Sequence, residues 1–440
     1  MDGRTDADRR PYPGPRRRVP GCGQGGRRPG RLGDMTRLER DDPYLRTFVS
    51  TLDEVRFDEH GAWWRLRDSC FYASGGGQPH DEGTLSVDDA AVWRVTGVES
   101  DDEGSVWHRV DGDAEAPAVG SALSGAIDWP RRWRHMQRHT AQHLLSQAFV
   151  RLDPAFATRS VALTSPEVTV DLAGEPDDQA VAAAVRLANE VAGQALPVRW
   201  FEVDERELAA YPLRRPPKVS GRVRLVTMGD WEVSACGGTH VRSTAEALPL
   251  LQVGRERIRG GLVRVTVRAG LEAIERAQAT QAAAAAAARG LSCGIDELPE
   301  RMSALAAEAA AARRELAQAH KRVAQERAAA LVRGPGAIVA LALPSADASF
   351  ATELADAIAE LAATAVIGAP QGDKALMVLA SGAGVDVRPA LRVGLERLEG
   401  RGGGRPERAQ GSGPRVEGLA EAIAAARALL DEGGERSRTQ

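Results

Sequence analysis

The chain has 440 residues, 43% hydrophobic and 27% charged, with a formal net charge of −4. That length supports a sizeable core and two to four domains. The slight acidity excludes a globally basic nucleic-acid binder, so any such contact must run through local patches. Four scattered cysteines, Cys22, Cys70, Cys236 and Cys293, form no disulfide framework and fit a reducing, cytoplasmic setting. No apolar run nears the ~18 residues of a membrane helix, and the chain opens on no secretory segment; no membrane contact is expected.

Residues 1–34 are Arg, Gly and Pro with little to bury, which predicts a disordered basic extension. It reads first as an inert tail, outside the native start at Met35, with a crude basic arm for RNA as the lesser alternative. Residues 35–126 then alternate in short apolar stretches about ten residues apart, broken at "ASGGGQPHDEG"; this predicts a small antiparallel barrel or sandwich. At "DWPRRWRHMQRHTAQHLLSQAFVRL" (128–152) the period changes. Asp128 suits an N-cap, Pro130 the first turn, and Leu144, Leu145, Ala148 and Phe149 an apolar stripe.

A strand pair in "VALTSPEVTVDL", a helix over "PDDQAVAAAVRLANEVAGQA" and strands at "LPVRWFEV", "VRLVTM", "WEVSA" and "GLVRVTVRAG" make residues 127–270 α+β. Residues 271–334 read as helical, with Met302, Leu305, Ala309, Ala312, Leu316, Ala319 and Val323 spaced by three and four. That seam fits a hairpin within one chain, a linker, or a coiled-coil dimer contact. In residues 335–440 strands alternate with helices around a Gly-rich, Arg-rich stretch (401–414), read as a loop in a small α/β domain. The fold class expected is α+β multidomain.

Chemistry concentrates in two places. "HTAQH" puts His139 and His143 at i and i+4, one turn apart on one helical face. "CGGTH" puts Cys236 and His240 four apart in a glycine turn. Each half alone is weak; together they offer four borderline-soft ligands suited to one zinc ion. His135, a turn earlier on the same face, is an alternative ligand. Four protein ligands also fit a closed, purely structural site.

"RHTAQHLL" and "CGGTHV" together resemble the editing domain of alanyl-tRNA synthetase and its free-standing relatives, the AlaX proteins. "FYASGGGQPHDEG" resembles the Gly-rich turn of that family's barrel, and "GGGRPERAQGSG" the signature of its C-terminal, DHH-associated domain. The resemblance runs from about Met35 to the C-terminus. The stretch before the barrel leaves no room for an aminoacylation domain, so the likeness is to the long, free-standing form. It implies zinc-dependent, ATP-independent hydrolysis of mischarged alanine tRNA, seryl and in some members glycyl, with one zinc per chain on His139, His143, Cys236 and His240. It also implies a pocket drawing on Gly76, Gly77, Gln78, Thr158, Ser160, Thr164 and Thr239, tRNA contact through Arg405, Arg408 and Gln410, and a homodimer. The rival reading is a non-catalytic tRNA-binding protein whose zinc only holds the fold. A phosphoesterase is disfavoured, because the chain shows no Asp-His-His cluster.

Overall fold

A computed structural model describes residues 35–438, apart from 60, 88–90, 113–114, 165, 216–220 and 344–347; the N-terminal extension read above lies outside the described residues. They divide near Ala284 into two compact units.

The first unit opens with a short parallel strand pair, β1 (Thr36–Arg37) and, further on, β4 (Asp68–Ser69), and the one-turn helix α1 (Leu38–Asp41). Alternation then builds a barrel. In β2 (Thr47–Asp58), Phe48, Ser50 and Leu52 point inward while Val49 is 70% exposed, the two-residue period of a half-buried strand. β3 (Gly61–Leu66), β5 (Gly83–Val87), β6 (Ala91–Ser100), β7 (Val106–Asp111) and β8 (Ala122–Ile127) complete a closed, antiparallel six-stranded barrel in the order β2-β3-β7-β6-β5-β8. Leu52, Trp64, Leu66, Leu85, Trp93 and Leu123 fill it. Closure removes the free strand edges that a sandwich would leave.

Helix α2 (Trp129–Leu152) starts where the sequence places it: Asp128 Oδ1 accepts from Arg131 N at 3.1 Å. β9 (Thr158–Ala162), β10 (Val168–Leu172), α3 (Asp178–Gly193), β11 (Val198–Asp204), β12 (Arg222–Met228), β13 (Glu232–Ala235), β14 (Leu250–Ile258) and β15 (Leu262–Ala269) follow. They form a four-stranded sheet, β14-β15-β10-β9, and a three-stranded one, β11-β12-β13. Leu144, Leu145 and Phe149 of α2 join Val181 and Ala188 of α3 and Val170 and Val265 of the larger sheet in one core. β14, "LLQVGRERI", escapes the sequence reading because it carries no two-residue alternation: after Leu250 its residues are half-buried or exposed. Helix α4 (Gly270–Gly290) runs across the boundary between the units.

The second unit holds α5 (Leu298–Leu331), β16 (Ile338–Ala342), α6 (Ala348–Glu360), β17 (Thr364–Gln371), β18 (Lys374–Ser381), α7 (Arg388–Arg397), β19 (Arg401–Arg405), β20 (Arg408–Gly413) and α8 (Leu419–Arg438). Its sheet runs β16-β17-β18-β20-β19, parallel only between β16 and β17. One core cluster holds residues of α5 and α6, another residues of α7 and α8. Along α5, Met302, Leu305, Leu316 and Val323 stay 43–61% exposed. The reading of residues 401–414 as a loop is corrected here: they form a hairpin, β19–β20, whose second strand pairs with β18. Glycine composition argues for a loop, but the β18 edge supplies the ladder that composition cannot reveal.

Candidate metal centre

Helix α2 carries His139 and His143 one turn apart, their ring centroids 5.1 Å from each other. Cys236 follows the last residue of β13, its N–H donating to Arg224 O at 3.0 Å, and the two glycines turn the chain so that His240 comes back to the same point. Cys236 Sγ lies 3.3 Å from His139 Nε2 and 3.3 Å from His240 Nε2. All four ligand atoms fall within 4.8 Å of one another. A tetrahedral zinc with N and S ligands puts them roughly 3.5 Å apart, so the spacing suits one ion. The second glycine is required by space: a Cβ on Gly238 would land on the His139 ring and 2.8 Å from Gln78 Oε1.

The donor chemistry fits zinc as well. Each imidazole uses its Nδ1 on a partner behind it: His139 on Gln78 Oε1 at 2.8 Å, His143 on Glu232 Oε2 at 3.2 Å, His240 on Thr140 Oγ1 at 3.2 Å. The three Nε2 atoms are thereby left for the common point, the arrangement in which metal-binding histidines are held. Glu232 is itself held, accepting from Arg214 Nε at 2.9 Å and Ser234 Oγ at 2.5 Å. Burial pushes the Glu232 carboxyl up, but His143 and Arg214 outweigh it and hold it at about 2. Burial works against the Cys236 thiolate, yet the facing His139 and His240 hold its pKa well below the usual thiol value. Burial, aided by His139, takes His240 down to about 3. Burial lowers His143, but the facing Glu232 and Cys236 outweigh it and raise it to about 9; since thiolate and neutral imidazole are the forms that bind a metal, an ion entering this site displaces the His143 proton.

The Gly-rich turn of the barrel reaches the same place. Gly75 and Gln78 exchange backbone hydrogen bonds at 3.1 and 2.9 Å, Gly76 and Gly77 take positive φ, and Gly77 O accepts from Leu163 N at 3.2 Å. The turn therefore delivers Gln78 to His139, and Gln78 Nε2 also donates to Thr239 Oγ1 at 2.8 Å. The other pocket candidates are not bonded to the cluster. Thr158 is 3% exposed, and its hydroxyl has no hydrogen-bond partner among the described residues. Ser160 Oγ donates to Asp171 at 2.5 Å. Thr164 is exposed and lines a cleft of about 400 Å³ together with Pro79, His135 and Arg138. His135, the alternative ligand, is thus excluded from the four-residue group: it faces this cleft, and burial plus the charges of Arg131 and Arg138 lower it to about 3. Arg405, Arg408 and Gln410 sit exposed on the hairpin of the second unit, Arg408 paired with Asp356 at 2.7 Å.

An ion pair beside the site also escaped the sequence reading, as did the braces Thr140 and Glu232. Asp81, three residues beyond Gln78, forms a fully buried ion pair with Arg132 of α2. Arg132 also donates to Pro43 O at 2.8 Å and Cys70 O at 2.7 Å, while Asp81 accepts from Tyr72 N at 2.7 Å. This pair ties the Gly-rich turn to the histidine helix. In "PRRWRH" it is hidden among arginines that look like a solvated face.

Residues 223–266, which include the Cys-Gly-Gly-Thr-His turn, match the family described as "Threonyl and Alanyl tRNA synthetase second additional domain". The alanine–tRNA ligase of Natronomonas pharaonis is 31% identical over 423 residues, 91% of this chain and 44% of that protein. That of Pyrococcus furiosus is 31% identical over 303 residues, 67% of this chain and 32% of that protein. The chain is an AlaX-like relative of the alanyl-tRNA synthetases. This synthetase relative spans less than half the length of the two ligases it matches. The C-Ala domain of the Aquifex aeolicus alanyl-tRNA synthetase matches 22% of the chain and 93% of its own length at 23% identity, with a TM-score of 0.21, too low to say anything of the fold. Among the described residues of the synthetase relative, no helix is long and apolar enough to cross a membrane.

Proposed function

We propose that this chain is a zinc-dependent aminoacyl-tRNA deacylase that clears serine, and in the wider reading glycine, from alanine-specific tRNA. The observation that carries the reading is the convergence of His139, His143, Cys236 and His240 on one point, each imidazole braced from behind. The family match across the Cys-Gly-Gly-Thr-His turn and the names of the ligase relatives direct that centre toward tRNA. A zinc ion held there supplies Lewis-acid polarisation of an ester carbonyl. The chain's own residues do the rest: Gln78 and Glu232 fix two imidazole planes, and the cleft beside His135 gives room next to the histidine helix. In this reading residues 35–126 form the barrel domain, 127–270 the editing domain, 271–334 a helical linker and 335–440 a DHH-associated domain. The last contacts tRNA through Arg405, Arg408 and Gln410, and the exposed seam of α5 supports a homodimer. The setting is cytoplasmic.

The four-donor count favours a second reading, a closed structural zinc in a tRNA-binding protein without catalysis. Deacylation of alanine tRNA charged with serine, glycine or alanine separates the two. The deacylase releases serine, spares alanine and loses activity in Cys236→Ala. RNA binding without release of any amino acid supports the structural reading instead.

A further inference from the structure

Arg224 of β12 is a buried cation that the proposed chemistry does not use. It is 8% exposed, and it enters no salt bridge among the described residues. Its Nη1 donates to two carbonyls at once, Cys236 O at 2.8 Å and Gly238 O at 2.9 Å. Its own carbonyl accepts the Cys236 N–H at 3.0 Å. Among the described residues Nε and Nη2 are buried without a hydrogen-bond partner, and the guanidinium lies 5.7 Å from the Trp200 ring centroid. Burying a guanidinium and leaving three of its five N–H donors empty is costly, and an apolar side chain would serve the core of this sheet better.

What the arginine provides is local. The two carbonyls it grips flank Gly237, where an added Cβ would meet nothing within 4 Å. Packing therefore does not hold the turn at that point. One residue later the tolerance vanishes, because Gly238 lies against the His139 ring. The path between Cys236 and His240 is thus fixed on one side by contact with His139 and on the other by hydrogen bonds to Arg224.

We infer that Arg224 is a positioning residue of the metal centre: its guanidinium clamps the Cys236–Gly238 turn so that Cys236 Sγ and His240 Nε2 meet His139 and His143 in ligand geometry. The inference rests on the reading of the four-residue cluster as a metal site.

The test uses the full chain with Arg224→Met and Arg224→Lys. Three quantities are measured: the zinc dissociation constant by chelator competition, the thiolate-to-metal charge-transfer band of the cobalt-substituted protein, and thermal unfolding without metal. Loss of a residue that braces a metal site typically weakens binding 10- to 100-fold. Arg224→Met is expected to fall in that range and to lose intensity in the cobalt–thiolate band, because Cys236 drifts from the ion while the histidines of α2 stay. Arg224→Lys, with a shorter reach and no planar fork, is expected to fall between it and the wild type. Arg224→Met with zinc affinity within about threefold of wild type and a full band overturns the inference, even if its metal-free unfolding temperature drops. If Arg224→Met does not fold, wild-type affinity and band in Arg224→Lys overturn it. A wild-type chain that binds neither zinc nor cobalt removes the metal reading and this inference together; wild-type binding with unaffected variants removes this inference alone.

Discussion

Gln78 and Thr239, 161 residues apart in the chain, hold each other twice: Gln78 Nε2 donates to Thr239 Oγ1 at 2.8 Å, and Gln78 Oε1 accepts from Thr239 N at 3.1 Å. The same Oε1 takes the His139 Nδ1 proton at 2.8 Å. One amide of the barrel turn thereby links the histidine helix to the cysteine turn. It also fixes which nitrogen of His139 is left for a metal.

Gln78→Leu is therefore expected to weaken zinc binding about 10- to 100-fold, with the wild type holding about one zinc per chain. Thr239→Val removes one bond and leaves His139 braced, so its loss is smaller. Chelator competition and elemental analysis measure both. Equal affinity in Gln78→Leu and wild type would show that the amide does not brace the site.

The Asp81–Arg132 pair makes a stability prediction. Both side chains are fully buried, so removing one leaves the other charge uncompensated, at a cost of about 3–5 kcal/mol. Asp81→Ala should show that loss in denaturant unfolding followed by tryptophan fluorescence. The double variant Asp81→Leu/Arg132→Met should be less damaged than Asp81→Ala, since it buries no unpaired charge; its cost is that the carbonyls of Pro43 and Cys70 lose a donor and the Tyr72 N–H loses its acceptor. A double variant worse than the single one contradicts the electrostatic account.

These residues also mark what the sequence makes legible. The i, i+4 histidines and the Cys-x-x-x-His turn are local patterns, and local patterns fix which atoms share a face. The barrel follows from alternation, which Phe48, Leu52, Trp64 and Leu66 keep. The braces are a different matter. Gln78, Thr140 and Glu232 reach their histidines across 61, 100 and 89 residues, and nothing in their own neighbourhoods signals it. His135 shows the reverse failure: helical spacing places it beside His139, but its side chain lines the neighbouring cleft. The β19–β20 hairpin was hidden because its order comes from pairing with β18.

Acid should weaken the barrel through His108. The ring is buried between Ser69 Oγ at 2.7 Å and Trp64 O at 2.9 Å, and burial, partly offset by the Trp64 carbonyl, lowers its pKa to about 4. The unfolded value is about 6.5, so between pH 6.5 and 4 the unfolded chain binds the extra proton. Stability is then full above pH 6.5 and is lost as pH falls toward 4, by about 3 kcal/mol from this group. His108→Gln, which cannot titrate, should flatten that part of the acid limb in tryptophan-monitored unfolding. An unchanged slope would assign the acid limb to other groups, such as His135, lowered to about 3.

Selectivity gives the last prediction. Serine exceeds alanine by a hydroxyl, so size alone cannot keep alanine out of a pocket that admits serine. Rejection must come from a polar group that the serine hydroxyl satisfies and alanine leaves unpaired, a device that discriminates by roughly 10⁴-fold or more. Among the candidates, Ser160 donates to Asp171, Thr239 accepts from Gln78, and Thr164 is exposed. Among the described residues, Thr158 alone of the four has a buried hydroxyl without a hydrogen-bond partner. Thr158→Val keeps the shape and removes that unsatisfied group, so the substrate-free protein should be as stable as wild type or gain up to about 1 kcal/mol. If Thr158 is the serine partner, Thr158→Val should shrink the serine-over-alanine preference by roughly 10⁴-fold, through slower seryl-tRNA and faster alanyl-tRNA hydrolysis, with zinc content unchanged. Unaltered serine turnover removes Thr158 from the pocket. Equal wild-type rates on the serine and alanine esters would remove proofreading itself, however fast the hydrolysis.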